Sequence, residues 1–191
     1  MSNYISLFIA MALVNNFVLV QFLGLCPFFG VSKKLGSAAS MGLAVTFVMV
    51  LASMATWLIT EYILIPFDVE FMRIVIYILV IASLVQIIEM FVMRTNYALY
   101  SAFGIYLALI TTNCAVLGIT FVNYREGFSF PESLVAALGA GVGFTLVLTI
   151  MSGIRERLEF ADSPKAMKGL PIAFLTAMLL ALAFSAFRGI I

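Results

Sequence analysis

Two cysteines carry the recognisable chemistry of this sequence. Cys26 sits in F-L-G-L-C-P-F-F-G-V-S-K-K, Phe22 to Lys34, and Cys114 in I-T-T-N-C-A-V-L-G, Ile110 to Gly118. Thiolates ligate iron–sulfur centres and zinc, and such sites take four protein ligands. The chain has 2 cysteines and no histidine. It can therefore supply half of a four-cysteine site, and the other half must come from a second chain. That chain is either another copy or a related protein of opposite orientation. The missing histidine also removes histidine-ligated haem and a histidine proton relay. Each cysteine has a plainer reading as a small buried apolar residue. Two cysteines this far apart make no disulfide framework, and a bridge is disfavoured inside a membrane.

Both cysteines stand beside residues that loosen a helix. Pro27 lacks a backbone N–H and disfavours a helical residue before it. Gly24 and Gly30 add freedom around it. In the second motif, Thr111, Thr112 and Asn113 offer side chains for freed backbone groups, as irregular backbone at membrane depth requires. Each cysteine is followed by glycine in C-x-x-x-G, Cys26 to Gly30 and Cys114 to Gly118. A helix break is expected at each.

The elements that position these motifs are apolar. Of 191 residues, 64% are hydrophobic and 10% charged, against about 25% charged in soluble domains. A soluble fold of this length could not hide so much apolar surface, so the bilayer is the expected solvent. A net charge of +1 gives no basic field for nucleic acid. M-S-N-Y at the start has no basic region before its apolar run, so no cleaved signal peptide is expected.

Charges divide the chain into uncharged runs of 32, 26, 15, 30, 22 and 19 residues, in that order. A spanning helix needs about 20 residues. The third run reaches that length by taking in Arg73 and Glu89 near its ends. Six spans are expected, over 4–24, 38–60, 71–92, 98–122, 132–152 and 169–187. The runs of 32 and 30 are too long for one straight helix. Thirty residues would reach about 45 Å across a core of about 30 Å.

The order of lengths suggests two similar halves, about 1–93 and 94–191. Gly42, Val45, Phe47, Val50, Leu51 and Met54 match Gly139, Val142, Phe144, Val147, Leu148 and Met151 without a gap. Odd-numbered loops hold Lys33, Lys34, Arg94, Arg155, Arg157, Lys165 and Lys168. The other side holds Arg73, Arg125 and Arg188. The basic loops belong in the cytoplasm, with both termini outside. Three spans per half then make the repeat inverted, an arrangement that places sites near the midplane between discontinuous helices. The expected fold is all-α integral membrane, with broken or half-helices carrying the cysteines in the first span of each half. The 1–191 chain is a single membrane domain.

Other residues have milder readings. Glu89 could sit on an ion path, or be an interfacial carboxylate paired with Arg94. Asn15, Asn16 and Gln21 suit interhelical hydrogen bonds. Arg155, Glu156, Arg157 and Glu159 read as a solvated loop, or as a docking point for a cytoplasmic partner.

V-N-N-F-V-L-V (Val14 to Val20), F-L-G-L-C-P-F, G-V-S-K-K, Q-I-I-E-M (Gln86 to Met90), I-T-T-N-C-A-V-L-G and G-I-R-E-R-L (Gly153 to Leu158) closely resemble the A-type membrane subunits of Rnf complexes. Those complexes are ion-translocating ferredoxin:NAD oxidoreductases. The E-type subunit of sodium-translocating NADH:quinone reductase belongs to the same family. The resemblance covers the whole chain and has several implications. An A-type and an E-type subunit, homologous and oppositely oriented, meet as a pair. Each gives two cysteines, here Cys26 and Cys114, to an iron–sulfur centre of [2Fe–2S] type at the membrane midplane. Pro27, Gly30, Asn113 and Gly118 support the two motifs. Single electrons cross the bacterial or archaeal cytoplasmic membrane through that centre, and other subunits carry the flavin, ferredoxin or iron–sulfur, and NAD sites. The competing reading is a small inverted-repeat transporter or ion-channel subunit without metal. A scaffold subunit with purely structural cysteines is the third.

Overall fold

The computed structural model of the chain describes residues 2–32, 35–67, 70–95, 109–110, 112–160 and 169–186. Among them every regular element is helical and no strand occurs. Helix α1 is Ser2–Ile9 and runs into a π-turn, Ala10–Val14. Helix α2 is Leu25–Val31. Helix α3, Leu35–Ile59, continues through a second π-turn, Thr60–Leu64, into Ile65–Phe67. A 3₁₀ turn, Glu70–Met72, leads into α4, Arg73–Thr95. Then come α5, Cys114–Arg125, α6, Phe130–Glu159, and α7, Leu170–Ser185. Three stretches are long and apolar enough to cross a membrane: Leu35–Phe67, Arg73–Phe91 and Phe130–Leu158.

The longest helix has a clear start. Ser129 N and Oγ both donate to Glu132 Oε2, at 2.9 and 2.7 Å. This capping box, with Pro131 in the first turn, supplies partners that a helix start lacks. Beyond it, Gly139, Gly141 and Gly143 alternate along α6 and open it to two neighbours. A Cβ added at Gly139 would lie 2.8 Å from Phe8 O, and one at Gly143 would lie 2.4 Å from Ala12 O. The backbone of α1 therefore rides on α6. Gly141 faces α3 instead, where an added Cβ would sit 2.5 Å from Thr46. Small residues allow such close approach in apolar helices, where dispersion contacts replace the hydrophobic effect.

The packing of α3 on α6 is the most extensive in the fold. Its centre is reciprocal. Thr46 Oγ1 donates to Gly42 O and Thr145 Oγ1 to Gly141 O, both at 2.8 Å. Each threonine lies against the other helix's glycine, since a Cβ on Gly42 would be 2.6 Å from Thr145. The two hydroxyl oxygens are 3.3 Å apart, between residues separated by 99 positions. Met41, Val45, Met49, Ala140, Phe144 and Leu148 are buried around this crossing. Helices α4 and α7 lie at the margin with exposed apolar faces, including Ile78, Leu79 and Phe91 on α4 and Met178, Leu179 and Leu182 on α7.

Several expectations meet this fold directly. The expected spans 38–60, 71–92 and 132–152 lie within α3 with its extension, the Glu70–Thr95 segment, and α6. The expected last span is helical over Leu170–Ser185. Much of the expected span 98–122 falls on residues 96–108 and 111, outside the described residues. The expected span 4–24 is not one helix, because helix ends at Val14. The break precedes the cysteine rather than surrounding it. Pro27 lies in the first turn of α2, where its missing N–H removes no intrahelical bond. Gly30 and Gly118, expected at breaks, are interior to α2 and α5. Gly118 is a packing glycine, since a Cβ there would lie 2.8 Å from Leu23 and 3.1 Å from Phe17.

Gly143→Val should destabilise the chain by at least about 1–3 kcal/mol, because branched atoms would overpack against the α1 backbone. Gly36→Ala, where an added Cβ meets nothing within 4 Å, should leave stability nearly unchanged. Unfolding of the full chain in mild detergent, followed by circular dichroism, compares the two.

Candidate metal centre

The chain turns out of helix at two asparagines. Asn15 N closes the π-turn on Ala10 O at 2.7 Å. Asn16 is 1% exposed. Its Nδ2 donates to Ala12 O at 3.0 Å and across to Gly143 O on α6 at 3.1 Å. Its Oδ1 accepts from Val18 N at 3.1 Å and Leu19 N at 3.4 Å. One side chain thus serves carbonyls of the helix it ends, a neighbouring helix and the turn that follows. The interhelical role expected of Asn16 is met. Leu23 N then donates to Phe17 O at 2.8 Å. Phe22 at φ 56° and Gly24 at φ 83° turn the chain through left-handed conformations.

Gly24 is the cap of α2, and Cys26 lies in that helix's first turn. Asn113 caps α5, its Oδ1 accepting from Ala115 N at 3.0 Å, and Cys114 is the helix's first residue. The two helix starts touch. Gly24 N donates to Cys114 Sγ at 2.9 Å. A Cβ at Gly24 would lie 2.9 Å from Phe144, 3.2 Å from Ala115 and 3.3 Å from Asn113 Oδ1. Only glycine combines that φ with that space. Both cysteines are free thiols, Cys26 exposed and Cys114 half-buried.

These features fit half of an iron–sulfur or metal site. Each sulfur is held at a helix N-terminus, where the helix dipole favours negative charge. The Asn113 side chain is 3% exposed and its Nδ2 has no hydrogen-bond partner. A buried donor in this state is costly, and it belongs to the residue directly before Cys114. Among the described residues no three His, Cys, Asp or Glu side chains gather into one cluster. With 2 cysteines and no histidine, the chain alone cannot supply a four-cysteine site.

A cavity of about 640 Å³ lies beside Cys114. Leu117 and Phe121 on α5, Leu23 from the turn, and Arg73 and Arg125 line it. The Arg73 guanidinium stacks 3.5 Å above the Tyr124 ring. An apolar face runs from the cysteine toward two arginines.

Two side chains brace the far ends of the cysteine helices. Arg155 Nη1 donates to Phe29 O at 2.9 Å and to Ser32 Oγ at 2.8 Å, at the C-terminal end of α2. Cations there meet unsatisfied carbonyls and the negative end of the dipole. Trp57 Nε1, on α3, donates to Phe128 O at 3.1 Å, just beyond α5. The solvated loop expected at Arg155 is corrected: α6 stays helical to Glu159, and Arg155 is a half-buried tie. No signal in the local sequence separates it from Arg157, which is exposed. Glu89 is half-buried on α4 and lines neither this cavity nor a smaller one near Tyr77. The only ion pair among the described residues joins Arg125 to Glu126, so the expected partnership of Glu89 with Arg94 is not formed.

Over residues 4–191 the chain matches the family described as "Rnf-Nqr subunit, membrane protein". It is 53% identical over 190 residues to the A-type subunit of the ion-translocating oxidoreductase complex of Azoarcus sp. (strain BH72), covering 100% of this chain and 98% of the relative. The subunit of the same name from Shewanella oneidensis is 53% identical over 191 residues, with 100% of both chains covered. That of Syntrophotalea carbinolica is 51% identical over 191 residues, covering 100% of this chain and 99% of the relative.

Arg155→Met should cost about 1.5–3 kcal/mol, the range for hydrogen bonds to a charged group. It should also speed maleimide labelling of Cys26 in the full chain, by loosening α2. Arg155→Lys should restore part of both effects, read by thermal unfolding and by labelling rate.

Proposed function

The chain belongs to the Rnf-Nqr family of membrane subunits, and on that premise we propose that it is an electron-carrier subunit supplying Cys26 and Cys114 to an intramembrane iron–sulfur centre. The centre is of [2Fe–2S] type and is shared with a homologous subunit of opposite orientation. The complex around it is an ion-translocating ferredoxin:NAD oxidoreductase, whose other subunits hold the flavin, iron–sulfur and NAD sites. The observation that carries this reading is the meeting of two cysteine-bearing helix starts, with Gly24 N on Cys114 Sγ at 2.9 Å.

When bound, such a centre supplies one-electron transfer, with a potential set by charge, hydrogen bonds to sulfur and solvent exposure. The chain's own residues act on those three quantities. Cys26 and Cys114 would hold the centre through Sγ. The Gly24 N–H donates to Cys114 Sγ, and the unpartnered Asn113 Nδ2 is a spare donor on the neighbouring residue. Phe17, Ala115, Val116 and Phe144, all buried, keep water from the inner side. The exposure of Cys26 leaves it facing outward, as sharing with a second chain requires.

The proposed membrane placement has six spans as two inverted three-helix repeats. It lies in the cytoplasmic membrane with basic loops inside and both termini outside. The seven-to-three distribution of Lys and Arg supports that orientation. The reciprocal Gly42–Thr145 and Gly141–Thr46 contacts support a local two-fold relation between α3 and α6, in a register two residues away from the sequence match of Gly42 with Gly139.

In the assembled complex, Cys26→Ser and Cys114→Ser should each abolish the visible absorption and the iron of this centre while the subunits still assemble. Iron analysis with absorption spectroscopy of the purified complex reads this. Full iron and an unchanged spectrum in both variants would remove the ligand assignment.

A further inference from the structure

A second, smaller cavity of about 170 Å³ lies where the end of α3, the start of α4 and the end of α5 meet. Thr56, Thr60, Glu61, Tyr77, Thr120 and Asn123 line it. Its threonine hydroxyls direct their protons away. Thr56 Oγ1 donates to Ala52 O at 2.7 Å, Thr60 Oγ1 to Thr56 O at 2.7 Å, and Thr120 Oγ1 to Leu117 O at 2.8 Å. With the Thr60 proton so placed, the 2.6 Å contact between Thr60 and Tyr77 is donated by Tyr77. Even the indole of Trp57, on the same wall, points its N–H at Phe128 O. Asn123 turns Nδ2 to Ser53 Oγ at 3.2 Å. Its Oδ1 is left with no partner on a side chain only 6% exposed.

These side chains therefore leave acceptor oxygens, rather than donors, for an occupant. Uncharged oxygen ligands with one carboxylate nearby suit a hard cation of low charge; a divalent ion would call for more carboxylates. The volume holds such an ion with a few waters, at about 30 Å³ each. The π-turn at Thr60–Leu64 adds a backbone irregularity of the kind found at functional sites. Arg73, stacked on Tyr124, lines the neighbouring cavity and not this one.

We propose that this cavity binds a partly dehydrated alkali cation, with Asn123 Oδ1 and the hydroxyl oxygens of Thr60 and Tyr77 as ligands and Glu61 as the charged group at its wall. The site uses neither cysteine. It rests on the reading above only in that the chain serves a complex that moves ions.

Equilibrium binding of radioactive sodium to the purified complex tests it, with choline chloride holding ionic strength constant and iron measured in parallel. The wild type should bind one more sodium per complex than Asn123→Leu. Thr60→Val should bind that sodium about tenfold more weakly, and both variants should keep their iron. Identical sodium stoichiometry and affinity in wild type, Asn123→Leu and Thr60→Val would overturn the proposal, leaving only water at Asn123. Should Asn123→Leu fail to assemble, Thr60→Val decides alone. Iron loss in Cys26→Ser is read separately, so either reading can fail without the other.

Discussion

A helix that stops within an apolar body leaves backbone groups that water cannot reach, and each must find a partner. Two asparagines meet that demand. Asn16 satisfies the end of α1 and the turn after it, and ties both to Gly143 on α6. Asn113 starts α5. Asn113 directly precedes its cysteine, whereas Asn16 lies ten residues before Cys26. The extra turn in the first half carries Gly24 back against Cys114, so the unequal breaks become complementary.

The breaks are held in place by the glycine-rich middle of α6. Gly139 and Gly143 admit α1, and Gly141 admits α3 from another face. Buried side chains then fill what remains, with Phe144 pressed toward Gly24. The long helices fix the distance between the short ones. Arg155 and Trp57 extend that control to the far ends, each reaching from a long helix to a carbonyl at or beyond the end of a cysteine helix.

The long elements were legible because charge-free runs of span length leave few alternatives to helix. The polar role of Asn16 was legible from residue type, as was the break before Cys114, which Asn113 caps. The position of the first-half break was not. Pro27 and Gly30 looked like breakers, yet a proline in a first turn and a glycine inside an apolar helix are both compatible with helix. The real breaks lie where asparagine can replace lost backbone partners. Arg155 looked like part of a solvated loop because its partners, Phe29 O and Ser32, lie over 120 positions away. The acceptor-lined cavity at Asn123 was hidden for the same reason, since three helices from distant parts of the chain build it.

In the proposed assembly, two helix starts within this chain present Cys26 and Cys114 to two cysteines of a partner. A density map of the assembled complex, fine enough to place sulfur, tests it most directly. One compact, strong density is expected to bridge Cys26 Sγ, Cys114 Sγ and two cysteine sulfurs of a second protein. Ordinary side-chain packing between Cys26 and Cys114, with the two thiols facing separate surroundings and no strong density between them, would contradict it.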